Sequence, residues 1–186
     1  TKKEFLDIVS TIIDNNEHHY IAVLNANKIY LGDQNSEVYN FLNNATIVLP
    51  ENAINIINKF RKFPLKSWNM GGIKSMQEII KLSYYRNYKI YFLGDNQNVL
   101  DKMIYNLQAQ FGEKIIAGCH NGFFKKNEKI EMIKNINDAN ANILFVAMGS
   151  PLQELFISKH FSRINCNIAM GVGGSFRVLA GIDKPA

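Results

Sequence analysis

Short β-rich apolar runs alternate with amphipathic stretches from one end of the chain to the other, and this alternation constrains the fold more than any other feature. Strands are predicted near 19–24 ("HYIAVL"), 46–49 ("TIVL"), 89–93 ("KIYFL"), 114–117 ("KIIA"), 142–147 ("NILFVA") and 166–170 ("CNIAM"). Helical patterns fall near 2–14, 37–43, 51–61, 73–86, 96–110, 126–136, 151–160 and 174–180, with Asp95 and Ser150 placed as capping residues. Runs that are apolar throughout suit strands buried on both faces, and strands alternating with helices suit parallel connections. The expected architecture is an α/β fold, a mostly parallel sheet with helices on both faces. With 186 residues, 47% of them hydrophobic, and no repeat or low-complexity linker, one domain spanning 1–186 is expected.

Charge and cysteine usage narrow the function classes. The 21 Lys and Arg against 16 Asp and Glu give a net charge of +5, spread along the chain rather than gathered into a basic arm. That favours an anionic ligand or surface. No nucleic-acid-binding signature accompanies it, so nucleic acid is not an expected partner. Cys119 and Cys166 lie far apart without CxxC spacing, and the four histidines lack paired metal-ligand spacing, so no metal site is predicted and a reduced, cytosolic setting fits. No apolar run of about 18 residues is present, and the amino-terminal "TKKEFLDIVS" lacks a signal peptide's apolar core.

In a sheet of this kind ligands collect outside the carboxyl ends of the strands. The loops predicted there are "NANK" at 25–28, "PENA" at 50–53, "GDNQN" at 94–98, "GCHNGFF" at 118–124, "GSPLQE" at 149–154 and "GVGGSF" at 171–176. Each has a plain structural reading beside a functional one. Ser150 can cap a helix that starts at Pro151, with Gln153 closing a capping box; alternatively, the free backbone N–H groups and the Gln153 amide face a sugar nucleotide. Asp95 can cap the following helix or meet a ribose hydroxyl. The glycines of "GVGG" allow tight turns or close approach of a phosphate. His120, Phe123 and Phe124 read as loop residues, solvated or packed, before they read as ligand contacts. Trp68 beside Gly71 and Gly72 could serve as a lid or meet a membrane interface.

The ordered series "YFLGDNQNV", "IIAGCHNGFF", "ILFVAMGSPLQE" and "IAMGVGGSFRVLAG" resembles the bacterial WecG/TagA/CpsF glycosyltransferase family. The likeness is strongest over 88–181 and thinner over 20–75, where "LNA" at 24–26, "PEN" after the second strand and Gly71-Gly72 are the landmarks. It implies a Rossmann-like transferase in bacterial cell-surface polysaccharide synthesis. The sugar, of the N-acetylmannosamine type, would pass from UDP to a polyprenyl-diphosphate-linked acceptor, with inversion and without a metal or other cofactor. It implies work at the inner face of the cell membrane, as a peripheral protein. The expected partners are a UDP-sugar, a lipid-linked saccharide and further copies of the chain.

By position, the resemblance makes Glu51 the base and puts Gln153 on the sugar nucleotide. A carboxylate suits the first role because an acceptor hydroxyl is a poor nucleophile until its proton is removed. The plain reading of Glu51 is an acidic residue in a first helical turn. The substrate-binding set is Asn25, Asn69, Gly94, Asp95, Gly122, Gly149, Ser150, Glu154, Gly171, Gly173, Gly174 and Arg177. Several positions depart from the family pattern. Glu51 stands where Asp is usual, Val23-Leu24-Asn25 where Thr-x-Asn is common, Arg177 where an acid is expected, and the chain stops at Lys184-Pro185-Ala186 without the family's basic carboxyl-terminal extension. A second reading is therefore a member that binds a nucleotide sugar or a partner transferase without turnover. A third, a dinucleotide-dependent oxidoreductase, lacks the early GxGxxG that it requires.

Overall fold

The computed structural model describes residues 1–51, 70–125 and 127–184. Six strands, β1 (His19–Leu24), β2 (Ile47–Pro50), β3 (Ile90–Gly94), β4 (Ile116–His120), β5 (Ile143–Ala147) and β6 (Ile168–Gly171), form one sheet in the order β2-β1-β6-β5-β3-β4. Every pairing is parallel, so all six carboxyl ends lie along one edge. Among the described residues eight α-helices flank the sheet: α1 (Lys2–Asp14), α2 (Ala26–Gln34), α3 (Ser36–Asn44), α4 (Gly72–Arg86), α5 (Gln97–Phe111), α6 (Lys129–Asp138), α7 (Leu152–His160) and α8 (Ser175–Leu179).

The strands are apolar throughout because both faces are covered, and successive side chains divide between two cores. Ile21, Val23, Ile47, Leu49, Ile90, Phe92, Ile143, Phe145, Ile168 and Met170 point to one face, where α1, α4, α5 and α8 supply Phe5, Met76, Leu100 and Phe176. Ala22, Leu24, Val48, Tyr91, Leu93, Leu144, Val146 and Ala169 point to the other, against Phe41 of α3, Ile133 of α6 and Phe156 of α7. Adjacent strands β1 and β6 thus send their outgoing chains to opposite faces: α2 contributes Ile29 to the second core and α8 contributes Phe176 to the first. In open parallel sheets that divergence leaves a crevice at the strand ends.

Most predicted elements are present with shifted ends. The start expected for β4 is a 3₁₀ turn, Glu113–Ile115, with the strand following it. The "NANK" loop is corrected: it is the first turn of α2. Apolar periodicity misses this helix because its buried residues are Lys28 and Gly32. A Cβ at Gly32 would already touch Leu42 Cδ1 at 3.5 Å and Tyr39 Cα at 3.7 Å, so glycine lets α2 lie close on α3. The helix expected at 51–61 lies, from residue 52 onward, outside the described residues, as do Trp68 and Asn69. No helix among the described residues is long and apolar enough to cross a membrane.

Candidate functional site

At the carboxyl edge, Glu51 directly follows β2, and its backbone N–H donates to the Leu24 carbonyl at 2.8 Å. Its carboxylate is half-buried and holds two donors: the Gly72 backbone N–H reaches Oε1 at 2.9 Å and the Asn25 Nδ2 reaches Oε2 at 3.2 Å. Gly71, the N-cap of α4, has no side chain to satisfy that helix's free N–H groups, so Glu51 does so from a distance. Glu51 therefore caps α4 through a tertiary contact; the first helical turn expected after it lies outside the described residues.

Asn25 caps α2, its Oδ1 accepting the Lys28 backbone N–H at 3.0 Å. The Lys28 side chain then turns inward, and Nζ lies 2.9 Å from Glu154 Oε1 on α7. Both partners are shielded from solvent, Lys28 being 5% and Glu154 1% exposed. The same Oε1 accepts Ser150 Oγ at 3.1 Å and Gln153 Nε2 at 2.9 Å. Gln153 in turn accepts the Gly173 backbone N–H on its Oε1 at 3.0 Å. An unbroken chain of polar contacts thus runs from Gly72 through Glu51, Asn25, Lys28, Glu154 and Gln153 to Gly173. It joins the ends of β1, β2, β5 and β6.

This geometry corrects the local reading of "GSPLQE". Ser150 is not the N-cap; that position is Pro151, α7 begins at Leu152, and no side chain caps it. Gln153 does not close a capping box, because its amide is committed to Glu154 and Gly173. Gly171 leaves room for it: a Cβ there would sit 2.9 Å from Gln153 Nε2 and 3.1 Å from Cδ.

A second group of loop residues is stitched together farther along the edge. Gly94 (φ 141°) packs so tightly against β5 that a Cβ would fall 2.3 Å from the Ala147 carbonyl oxygen. The Asp95 N–H donates to that carbonyl at 2.8 Å, and the Gly122 N–H donates to the Asp95 carbonyl at 2.8 Å. Asp95 does not cap α5 as expected; Asn96 does, accepting the Val99 N–H at 3.1 Å. Arg177 makes a two-pronged contact with Asp183, at 2.7 and 3.3 Å, and Asp95 adds to the field that raises its pKa beyond the ordinary value. Chain neighbours aside, Gly149, Gly173 and Gly174 have no atom of the described residues within 4 Å of where a Cβ would stand. Asn69 lies outside the described residues.

Sequence reasoning missed Lys28. Its signal, a lysine three residues after a capping Asn, exists in "NANK" but is masked by the polar composition of α2. No group of three or more His, Cys, Asp and Glu among the described residues is placed to hold a metal ion.

The model of the WecG/TagA/CpsF glycosyl transferase family matches residues 1–186. The chain belongs to this family. Similar relatives include the N-acetylglucosaminyldiphosphoundecaprenol N-acetyl-β-D-mannosaminyltransferases of Staphylococcus aureus strains NCTC 8325 / PS 47 and MRSA252. Each is 27% identical over 178 residues, covering 90% of this chain and 69% of the relative. In this WecG/TagA/CpsF member Asn25 of "LNA", Glu51 of "PEN" and Gln153 and Glu154 of "GSPLQE", distant in sequence, meet in the polar chain just described.

Proposed function

We propose that the protein transfers an N-acetylmannosamine-type sugar from UDP to an N-acetylglucosaminyl diphosphate carried on a polyprenyl lipid, with inversion and without a metal. The observation that carries this reading is the contact chain linking Glu51 to Gln153 and Gly173. It places a carboxylate and an amide with backbone donors on one edge, as transfer between two bound sugars requires.

In the proposed reaction, Glu51 takes the proton of the acceptor hydroxyl as the oxygen attacks the anomeric carbon. The bond from that carbon to the β-phosphate oxygen breaks on the opposite face, and UDP leaves with the electron pair. A carboxylate has about four lone-pair directions, so among the described residues each Glu51 oxygen keeps one beyond its present donor. Among the described residues the Gln153 amide keeps one N–H and one lone pair, which are assigned to sugar or ribose hydroxyls. The backbone N–H of Gly174 and the Arg177 guanidinium are assigned to the charge that grows on the diphosphate. Asn25 keeps Glu51 aimed, while Gly94, Asp95, Gly122, Gly149 and Ser150 shape the nucleotide side. The acceptor lipid places the work at the inner membrane face, where a net charge of +5 suits anionic headgroups.

Titration calorimetry with UDP and UDP-N-acetylhexosamines, followed by transfer to a lipid-linked acceptor, tests the proposal. Binding of one such sugar nucleotide and a fall in kcat of about 10²-fold or more in Glu51→Gln are expected. A protein indifferent to all of them, or an unchanged rate in Glu51→Gln, overturns it. Binding without turnover in the wild type would leave a nucleotide-sugar receptor instead.

A further inference from the structure

The buried pair of Lys28 and Glu154 is an odd way to hold two helices together. Removing an ammonium and a carboxylate from water is costly enough that well-packed apolar residues of equal volume often match or exceed such a pair in stability. Its geometry points to another task. Glu154 Oε1 collects three donors, from Ser150, Gln153 and Lys28, while Oε2 is buried with no hydrogen-bond partner among the described residues.

A carboxylate facing an ammonium can only accept hydrogen bonds. Gln153 must therefore turn its NH₂ toward Glu154, which leaves its oxygen for the Gly173 N–H at 3.0 Å. With a neutral amide at position 154, either end of the Gln153 amide could face it, and the order would be lost. The lock also fixes which way the unused N–H and lone pair of Gln153 point. Lys28 serves the other half of the site as well, because its backbone N–H holds the Asn25 side chain that holds Glu51.

We propose that Lys28 is a positioning residue: by pairing with Glu154 it sets the orientation of the Gln153 amide, and with it the specificity of the site for a sugar nucleotide. This rests on the reading above that Gln153 meets the UDP-sugar. Lys28 itself touches no reacting atom.

The test compares wild type, Lys28→Met, Glu154→Gln and the double variant Lys28→Met/Glu154→Gln. Melting temperature, UDP-sugar Kd, and kcat and KM of transfer are measured for each. Lys28→Met strands a buried carboxylate and should melt earlier, whereas the double variant, with both charges gone, should regain most of the lost melting temperature. The expected signature is a Kd and KM that stay tenfold or more above wild type in the double variant, with kcat within about threefold. The Gln153 side-chain amide resonances give a second readout in any folded variant: one protected pair in the wild type, exchange-broadened in Glu154→Gln. A Kd that recovers with the melting temperature overturns the proposal, and so does wild-type affinity in Lys28→Met. A wild type that binds no UDP-sugar overturns the proposed function and this inference together, which separates that failure from a failure of Lys28 alone.

Discussion

Glu51 Oε1 accepts the backbone N–H of Gly72 at 2.9 Å, so the end of β2 and the start of α4 are clasped across 21 positions of chain. A carboxylate that caps a helix is held in one place by that helix. The Glu51 side chain reaches α4 and is fixed there.

Gly72→Ala tests that clasp. A Cβ at residue 72 would lie 3.0 Å from Glu51 Oε1 and 3.2 Å from Val23 Cγ2, so the carboxylate must move by a few tenths of an ångström. Transfer activity should fall about tenfold or more, since small misplacements of a reacting group are expensive. The UDP-sugar Kd should change less than threefold, as calorimetry would show.

Gly171→Ala and Gly174→Ala form a matched pair. The first presses on the Gln153 amide from 2.9 Å and should weaken UDP-sugar binding about tenfold while lowering the melting temperature. The second meets nothing within 4 Å among the described residues and should leave stability within about 0.5 kcal/mol of wild type. Weaker UDP binding by a Gly174→Ala protein of unchanged melting temperature would show that ligand, not packing, needs the bare backbone.

Gly94→Ala should be the most damaging single glycine change. Its Cβ would overlap the Ala147 carbonyl oxygen at 2.3 Å, and φ at 141° is unsuited to a side chain. A loss of more than about 2 kcal/mol is expected, read from urea midpoints.

His160 gives the stability a pH dependence. Burial against Phe156, with Lys129, Arg163 and Lys159 nearby, lowers its pKa below the ordinary 6.5, and Nδ1 has no partner among the described residues. The unfolded chain then binds a proton that the folded chain refuses, so stability is full above about pH 6.5 and declines as pH falls toward the depressed folded value. His160→Phe should flatten the melting-temperature profile between pH 7 and 5 relative to wild type. Parallel profiles would assign the slope to other groups.

The sheet was legible because burial on two faces writes itself as unbroken apolar runs such as Ile143–Ala147, and α1 was read at its observed ends, Lys2–Asp14. What escaped was decided by contacts between distant segments. Helix α2 buries a lysine and a glycine instead of an apolar stripe, so the pattern that reveals helices is missing. Gln153 looked like a capping residue because its position in "GSPLQE" fits one, yet a carboxylate next door and a backbone N–H 20 positions on claim it. Glu51, Asn25, Gln153, Glu154 and Gly173 could be chosen from their loops. The lysine that couples them could not, since its partner is on another helix.

The neighbour of β1 on its inner side is β6, so β1 must wait for a strand made after β2, β3, β4 and β5. Until residues Ile168–Gly171 emerge, His19–Ile21 have no partner on that flank, and Gln153 has neither the Gly173 N–H nor the shelf of Gly171 beneath it. The contact of Gln153 with Gly173 therefore forms only once β6 is made, and a nascent chain halted before it would expose an unpaired edge of β1.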